Sequence, residues 1–362
     1  MKRTATKAIK IGNVQIGGQN KVIIQSMCNT KTKDFKNTLA QIKELEKVGC
    51  QIVRLAILNE EDAKAIKEIK KHTTMPLVAD IHYDYRLALI AIENGIDKIR
   101  INPGNIGKIS NVEAVVKSCK EKDIPIRIGI NSGSLEKNIL AKYQKPTAQA
   151  MIESAQNHVK ILEDLNFTNI CLSFKSSDSG LCIDSYQLAA KTFNYPLHLG
   201  VTEAGSFFAS SIRSSAALGI LLHQGIGDTI RISVSANPVE EIKIAKELLA
   251  TFNLIDNYPK LISCPTCGRL AYDMLNYVKE IEDFLATLSG NIKVAVMGCT
   301  VNGPGEAREA DIGIFGGGDK LVILKNGKIF AQGPPAEMIK LLKQQILIIL
   351  EEKSKNHNNI KK

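Results

Sequence analysis

Short apolar runs alternate with amphipathic helical stretches over about the first 250 residues of the chain. The runs predict strands at residues 22–27, 52–57, 77–82, 98–102, 125–132, 169–175, 197–205 and 229–235. Between the runs, apolar residues recur at helical spacing, as at Leu39, Ile42, Leu45 and Val48. Eight strand–helix units in succession are typical of parallel strands joined by crossover helices. The pattern therefore predicts an α/β fold, a TIM (β/α)₈ barrel.

An open, doubly wound sheet is the alternative arrangement of such units. No GxGxxG motif follows the first predicted strand, which weakens that alternative. The alternation stops after a helix that begins at Asn237-Pro238, because residues 251–262 show no strong period. We therefore predict a barrel domain over residues 1–255 and a second domain over residues 256–352.

The second domain has the pattern of a small α+β module. We predict a helix from about residue 268 to 288, strands at 293–297 and 311–315, a hairpin of 321–324 with 328–331, and a last helix over 336–352. Residues 353–362 are rich in Lys and Asn and predict a disordered basic tail.

Polar residues interrupt the predicted barrel strands at every second position. They are Arg54, Asp80, His82, Arg100, Asn102, Arg127, Asn131, Ser173, Lys175, Glu203, Arg231, Ser233 and Ser235. Residues two apart on a strand face the same side, and their Val, Ile and Leu neighbours must face the helices. We therefore expect these polar side chains to point into the barrel, most of them near the carboxyl ends of the strands, where barrel active sites lie.

Cations outnumber carboxylates in this set. Five cations, Arg54, Arg100, Arg127, Lys175 and Arg231, stand against the two carboxylates Asp80 and Glu203. Buried charge is costly unless it is paired, so the surplus predicts an anionic ligand. Arginine forks match phosphate oxygens, and we predict a site for a small phosphate ester with two or more charges.

Individual members of the set have structural alternatives. Any single arginine is as well explained by a salt bridge as by a ligand contact, and His82 is also explained as a core histidine. Glu203 beside an anion would have a raised pKa that suits acid–base chemistry. A carboxylate held by one of the arginines is the alternative for Glu203.

Three cysteines and a carboxylate carry the candidate chemistry of the second domain. Cys264 and Cys267 form a C-x-x-C pair, and Cys299 is followed by Glu306 after a turn-like segment. Three thiolates suit an iron–sulfur cluster, whereas a structural zinc site usually has four N or S ligands. A cluster whose fourth iron has an oxygen ligand would be open to substrate. Structural zinc and a plain turn with buried thiols remain the alternatives.

Composition narrows the classes of partner. The chain has 362 residues, 44% hydrophobic and 23% charged, and a formal net charge of +10. Most of that charge comes from four basic residues in each terminal segment, Lys2, Arg3, Lys7 and Lys10 and Lys353, Lys355, Lys361 and Lys362. Because the body of the chain is nearly balanced, a nucleic-acid-binding stripe is poorly supported.

The termini and the cysteines predict a cytoplasmic protein. The first residues lack the apolar segment of a signal peptide, and the aliphatic run at 346–350 is far too short to span a bilayer. Eight cysteines at irregular spacing indicate reduced thiols. We expect no membrane partner.

These motifs together resemble the 4-hydroxy-3-methylbut-2-enyl diphosphate synthase family. Its members are flavodoxin- or ferredoxin-dependent oxidoreductases of the methylerythritol phosphate (non-mevalonate) route to isoprenoids. The resemblance rests on residues 264–269 (CPTCGR), 298–306 (GCTVNGPGE), 25–27 (QSM) and 101–105 (INPGN). It covers nearly the whole chain and matches the two-domain bacterial form in length.

The resemblance implies a [4Fe-4S] cluster on Cys264, Cys267, Cys299 and Glu306, with Glu306 on the iron that meets substrate. It implies that the diphosphate is bound by Arg54, Arg100, Arg127, Asn131, Lys175, His82 and Ser233, and we add Arg231 to this set. It further implies that Asp80 orients these groups and that Glu203 transfers protons.

The implied substrate is 2-C-methyl-D-erythritol 2,4-cyclodiphosphate. Two electrons and protons would open its ring and remove water, giving the linear 4-hydroxy-3-methylbut-2-enyl diphosphate. Related enzymes are head-to-tail homodimers in which the cluster domain of one subunit closes over the barrel of the other. Flavodoxin or ferredoxin would supply the electrons.

Two other functions stay open at the level of the sequence. An iron–sulfur electron carrier or sensor fused to a barrel predicts a cluster with complete cysteine ligation, independent of the barrel arginines. A zinc-stabilised nucleic-acid binder predicts bound zinc and strongly salt-dependent oligonucleotide binding.

Overall fold

The computed structural model describes residues 2–102 and 106–360, without the side chains of 356–360. Residues 103–105 of the INPGN motif, Lys361 and Lys362 lie outside the described residues. The chain divides into two compact units, Met1–Leu254 and Ile255–Lys362. No helix in the described ranges is long and apolar enough to cross a membrane.

The first unit is built on a parallel sheet. Its strands are β1 Ile9–Ile11, β2 Val14–Ile16, β3 Ile23–Met27, β4 Ile52–Ala56, β5 Leu77–Asp80, β6 Lys98–Ile101, β7 Ile126–Asn131, β8 Ile170–Lys175, β9 His198–Leu199 and β10 Thr229–Ile230. Its helices are α1 Phe35–Lys47, α2 Glu60–Lys71, α3 Tyr85–Glu93, α4 Ile109–Glu121, α5 Lys137–Tyr143, α6 Ala148–Asp164, α7 Ser179–Thr192, α8 Phe207–His223 and α9 Pro238–Thr251.

Strands β3 to β10 form a nearly closed barrel. Their order in the sheet is β8-β7-β6-β5-β4-β3-β10-β9, and the pairs are parallel. A parallel bridge between Leu172 in β8 and Leu197, just before β9, joins the two edges. The predicted TIM barrel is confirmed.

Local signals place the helices between the strands. Helix α2 is an example: the Asn59 side chain accepts a hydrogen bond from the backbone N–H of Asp62, and acidic residues fill its first turn. Lysines fill its last turn, and Ala63, Ile66 and Ile69 are buried on one face. Such faces cover the outer side of the barrel strands, which leaves the inner side for polar residues.

The hairpin of β1 and β2, which the sequence interpretation missed, packs against the amino-terminal end of the barrel. Ile9, Ile11 and Ile16 form one buried cluster with Ile23, Ile52, Val78 and Cys171. The latter four lie at inward-facing positions at the start of their strands. The barrel therefore has an apolar floor at the end opposite the carboxyl ends of the strands.

The second unit is an α+β module around a five-stranded sheet. Its strands are β11 Lys260–Ser263, β12 Lys293–Met297, β13 Ile312–Gly317, β14 Lys320–Lys325 and β15 Lys328–Gly333. Its helices are α10 Met274–Ala286, α11 Gly303–Glu309 and α12 Pro335–Ile360. The strands lie in chain order, β11, β12 and β13 parallel and the last two antiparallel.

Several local expectations differ from the structure of this unit. Residues 303–305, expected as a turn, begin helix α11, because Pro304 fits the first turn of a helix. Strand β11 was not expected, and α10 begins at Met274 rather than near residue 268. Helix α12 continues to Ile360 in place of a disordered tail from residue 353, since no Gly or Pro after Pro335 stops it.

Candidate active site

The in-register pairing of the barrel strands brings the predicted cations side by side. Arg100 in β6 is the register partner of both Asp80 in β5 and Arg127 in β7. Asn131 at the end of β7 pairs with Lys175 at the end of β8. Because register partners on neighbouring parallel strands point to the same side, these side chains share the barrel interior. The prediction that they converge agrees with this register.

Asp80 is the anionic centre of the cluster. Its Oδ1 lies 3.3 Å from Arg100 Nη1, and its Oδ2 lies 3.8 Å from Arg54 Nε. Burial would raise the pKa of the Asp80 carboxyl, but Arg54 and a hydrogen bond from His82 outweigh burial and hold it well below its usual value. Asp80 is therefore ionised at any physiological pH and fixes the two guanidinium groups.

His82 lies beside this pair and reaches solvent. Its Nε2 is 3.2 Å from Asp80 Oδ2 and 3.2 Å from Arg100 Nη1, and its side chain is 47% exposed. Nε2 either donates to the carboxylate or accepts from the guanidinium, depending on the tautomer. An imidazole that is anchored at one nitrogen and open to solvent is suited to contact a ligand above the cluster.

Arg127 is the most deeply buried cation of the set. It is 1% exposed, and neither its Nε nor its Nη1 has a hydrogen-bond partner among the described residues. Burial, and then the neighbouring Arg100, lower its pKa to about 10. Buried donors without acceptors are costly in an isolated protein. They are explained if a ligand brings the acceptors.

Lys175 and Arg54 are likewise buried among other cations. Burial lowers the pKa of Lys175 well below its usual value, and the arginines around it lower the pKa further. Burial likewise lowers the pKa of Arg54, against the opposing effect of Asp80. Mutual repulsion of this kind disappears when an anion binds among the cations.

Two glycines, which the sequence interpretation did not single out, make room for these side chains. A Cβ on Gly129 would lie 2.9 Å from Arg100 Nε, and a Cβ on Gly200 would lie 3.1 Å from Lys175 Nζ and 2.9 Å from the backbone oxygen of Arg231. Any larger residue would displace the cations. The sequence signal was a glycine at an inward position of a strand.

Arg231 has its own counter-ion. Its Nη2 and Nε donate to Glu241 Oε1 at 3.0 Å and Oε2 at 3.2 Å, and Ser26 Oγ donates to Oε2 at 2.7 Å. Glu241 is buried in the first turn of α9. A structural salt bridge therefore explains Arg231 better than it explains the other arginines.

The remaining predicted residues lie around the mouth of the barrel. Asn131 accepts a hydrogen bond from the backbone N–H of Gly133, and Ser233 is half-buried after β10. Glu203 follows β9 in an exposed segment, with a left-handed φ of 54°. Glu203 therefore forms no ion pair with an arginine in the part of the chain that the structure describes, and the alternative that an arginine holds it finds no support there.

In the second unit, the segments that carry the cysteines meet at Gly298. The backbone N–H of Gly298 donates to Cys264 Sγ at 3.1 Å, and its carbonyl accepts from the N–H of Ala271 at 3.1 Å. A Cβ on Gly298 would lie 3.5 Å from Cys264 Sγ. The loop after β11 is thus joined to the residue that precedes Cys299.

The sulfur and carboxylate groups differ in their surroundings. Backbone N–H groups of Asn302 and Val301 lower the pKa of the Cys299 thiol, with a smaller contribution from Arg269. Cys264 and Cys299 are half-buried, whereas Cys267 and Glu306 are exposed. Within the described residues, no three His, Cys, Asp or Glu side chains stand close enough together to hold a metal ion. All eight cysteines are free thiols.

Two family models match the chain, one for each unit. The GcpE TIM-barrel domain matches residues 6–246, and the GcpE protein C-terminal domain matches residues 260–347. Together they cover the barrel cations and all four predicted cluster ligands.

Similar curated proteins match over nearly their full length. The chain is 55% identical over 359 residues to 4-hydroxy-3-methylbut-2-en-1-yl diphosphate synthase (flavodoxin) of Bacillus cytotoxicus, covering 99% of this chain and 98% of that protein. It is 56% identical over 350 residues to the protein of the same name from Bacillus cereus, covering 97% and 95%.

Solved structures that align with part of this chain include dihydropteroate synthases. The enzyme from Yersinia pestis aligns with a TM-score of 0.48 at 14% identity, over 69% of this chain and 100% of that chain. The enzyme from Vibrio fischeri aligns with a TM-score of 0.49 at 16% identity, over 68% and 98%.

Proposed function

The chain belongs to the GcpE family, and from that premise we propose that it is a 4-hydroxy-3-methylbut-2-enyl diphosphate synthase. The enzyme would open the ring of 2-C-methyl-D-erythritol 2,4-cyclodiphosphate with two electrons and remove water. The observation that carries the proposal is Arg127, a buried guanidinium with two donors that no described residue accepts. A small diphosphate supplies the missing acceptors.

The barrel binds and orients the diphosphate. Arg100, Arg127 and Lys175 lie along three neighbouring strands, so their donors present one positively charged surface to the phosphate oxygens. Arg54, Asn131, His82 and Ser233 extend the contact, and Asp80 holds Arg54 and Arg100 in place. Arg231 contributes charge while it stays paired with Glu241. Fixed cations lose little order when the ligand binds, which favours a single substrate pose.

Proton transfer is assigned to the groups that reach solvent beside the cations. Glu203 is exposed at the mouth of the barrel, and His82 bridges solvent and Asp80. An exposed carboxyl group at this position is placed to deliver a proton to the leaving oxygen, and we assign that role to Glu203. His82 keeps the substrate phosphate aligned during that transfer.

Cys264, Cys267, Cys299 and Glu306 would hold a [4Fe-4S] cluster. The lowered pKa of Cys299 fits a thiolate ligand, and the meeting of the loops at Gly298 fits a shared centre. Cys267 and Glu306 are exposed and free to turn toward it. When bound, the cluster supplies electrons and a Lewis-acidic iron whose oxygen ligand is exchangeable.

The electron donor we propose is flavodoxin, the donor printed in the names of the relatives. We also propose the head-to-tail homodimer that the family resemblance implies. The free thiols are consistent with a reducing cytoplasm. Mixing Arg100→Ala with Cys267→Ala subunits tests the dimer, because a mixed head-to-tail dimer regains one intact site. No recovery of activity in verified mixed dimers would contradict the arrangement.

Air-free purification followed by turnover assays tests the activity. We expect iron and sulfide without zinc, and reduction of the cyclic diphosphate by a chemical reductant. Glu306→Ala should keep a cluster but lose most turnover, and Arg100→Ala should chiefly raise KM. Arg86→Ala is the matched control, because Arg86 is exposed and paired with Asp84. A colourless protein, or an Arg100→Ala variant with unchanged KM, would contradict the proposal.

A further inference from the structure

Beneath the arginines, the barrel contains a buried lysine that the proposed reaction does not use. Lys98 in β6 lies two residues before Arg100, so its side chain points into the barrel from the same face of the strand. It is 0% exposed, and its Nζ donates to Gln25 Oε1 at 3.3 Å. Gln25 is itself buried, and its Nε2 has no partner among the described residues.

No carboxylate pairs with Lys98 within the described part of the chain. The charged and titratable groups that face it are Arg54 from β4, Arg127 from β7, Cys171 from β8 and His198 from β9. Strand β3 contributes Gln25, and β5 contributes Val78, the register partner of Lys98. Asp80 lies farther along β5, beside Arg100, and is engaged by Arg54 and Arg100.

These surroundings favour the uncharged amine. Burial lowers the pKa of Lys98 to about 7, and among its neighbours only Cys171 opposes the repulsion from Arg127 and Arg54. A neutral amine also has a lone pair, and it is therefore an acceptor in a layer crowded with donors. His198 nearby is kept neutral by burial and by the same cations, with Nδ1 2.6 Å from Thr229 Oγ1.

We propose that Lys98 is a proton-linked counter-charge for the bound diphosphate. At mildly alkaline pH the amine is mostly neutral in the empty barrel, and it takes up as much as one proton from solvent when an anion binds to the arginines above it. The anion offsets the field of Arg54 and Arg127, which is what disfavours the ammonium form. The choice of ligand rests on the proposed function, whereas the linkage requires only an anion at this site.

Proton uptake by Lys98 suits the proposed reaction, because the charge of the ligand changes during it. A cyclic diphosphate has two ionised oxygens, and the linear diphosphate formed from it has three. A lysine that charges on demand lets the barrel match the more negative species without holding another permanent cation in the empty site. Lys98 therefore acts on the bound ligand through the electrostatic field of the site. It is a positioning residue that contacts no reacting atom.

Calorimetric titration of the air-free holoenzyme with the cyclic diphosphate tests the linkage. The ligand has no group that titrates near neutral pH, so proton uptake reports on the protein. Heats measured in two buffers of different ionisation enthalpy, at about pH 7.5 to 8.5, should give uptake of up to one proton per site, given the free-state pKa of about 7. The dissociation constant should rise by up to tenfold per pH unit in this range.

Lys98→Met should still bind the ligand but show neither proton uptake nor that pH dependence. His198→Gln is the matched control, a second buried neutral base that should leave the uptake unchanged. If Lys98→Met does not fold, the wild-type protein alone still tests the linkage. Its proton uptake on ligand binding should vanish below about pH 6, where the amine is already charged.

Uptake that persists in Lys98→Met, or wild-type binding without uptake, would overturn the role of Lys98. Failure of the cyclic diphosphate to bind would instead count against the proposed function. In that case inorganic pyrophosphate, with its own protonation measured in a blank titration, is the probe. Uptake with pyrophosphate that is lost in Lys98→Met would support the linkage, and uptake equal in both proteins would overturn it.

Discussion

The two units hold their candidate residues in different ways. In the barrel, Asp80 already lies within ion-pair distance of both Arg54 and Arg100. In the second unit, Cys267 and Glu306 are exposed, and the described side chains gather no metal site. The barrel residues are therefore held together by contacts with one another, whereas the proposed cluster ligands are not gathered in the described part of the second unit.

The difference follows from the elements that carry the residues. The barrel cations sit on strands whose register fixes the direction of each side chain. The cysteines and Glu306 sit on loops and on the seven-residue helix α11, where backbone contacts fix the path of the chain but not the side chains. The proposed anion site is therefore built on rigid elements, and the proposed cluster site on more adaptable ones.

Removal of one thiolate should give the largest effect. Cys267→Ser should lose iron and lower turnover by more than about a thousandfold, because electron transfer is lost when a ligand is missing. The dissociation constant of the cyclic diphosphate should change by less than about threefold, since the barrel holds it without the metal. Anaerobic iron analysis and calorimetry measure both. Cys119→Ala, at a buried thiol in α4, should keep its iron. If Cys267→Ser lost substrate binding together with its iron, the proposed difference between the two units would be contradicted.

Arg127→Met should weaken substrate binding on the order of a hundredfold, because it removes a desolvated charge from the ligand. The same variant should unfold at no lower temperature than the wild type, since Arg127 is buried with no counter-ion of its own among the residues that the structure describes. Calorimetry and thermal unfolding measure the two effects. Arg86→Met should change neither. A large loss of thermal stability in Arg127→Met would show that Arg127 stabilises the fold.

Glu241→Gln should destabilise the barrel by about 3 kcal/mol, because it leaves Arg231 buried without its partner. Glu240→Gln, at the neighbouring and more exposed pair with Lys243, should cost less than about 0.5 kcal/mol. Urea unfolding of the two variants measures the difference. Equal costs would mean that the Arg231 pair is not part of the rigid framework.

The pH dependence of the free energy of unfolding should give the smallest effect, expressed per pH unit. Burial depresses the pKa of Lys98 to about 7, so the unfolded chain binds more protons than the folded one above that pH. Stability should therefore rise by up to about 1.4 kcal/mol per pH unit between about pH 7 and 9 from this residue alone. Lys98→Met should lack this component in urea unfolding. An identical slope in both proteins would contradict the assignment.

The sequence predicted the barrel well, because each strand pairs an apolar outer face with a polar inner face. The period-two signal placed Arg54, Arg100 and Arg127 inside before any contact was known. The strands around residues 197–205 and 229–235 were overextended, since the chain leaves the ladder after Leu199 and Ile230. Periodicity continues there, although only isolated backbone hydrogen bonds, such as that from the N–H of Arg231 to the carbonyl of Leu199, continue beyond the strands.

Tertiary partners could not be predicted in the same way. Glu241 carries an ordinary helix-start signal, and only the packing of α9 against β3 brings it to Arg231 as a counter-ion. Strands β1 and β2 have three residues each, too few for a reliable alternation. Glu203 looked like an inward-facing acid at the end of a strand, but it lies after the end of β9 and is exposed, with a left-handed φ of 54°.

The hairpin of β1 and β2 has a kinetic consequence. Because Ile9, Ile11 and Ile16 close the lower end of the barrel, small polar molecules can pass only through the opposite opening. The linear diphosphate must leave by the route along which the next cyclic diphosphate enters. Product inhibition should accordingly be competitive with substrate.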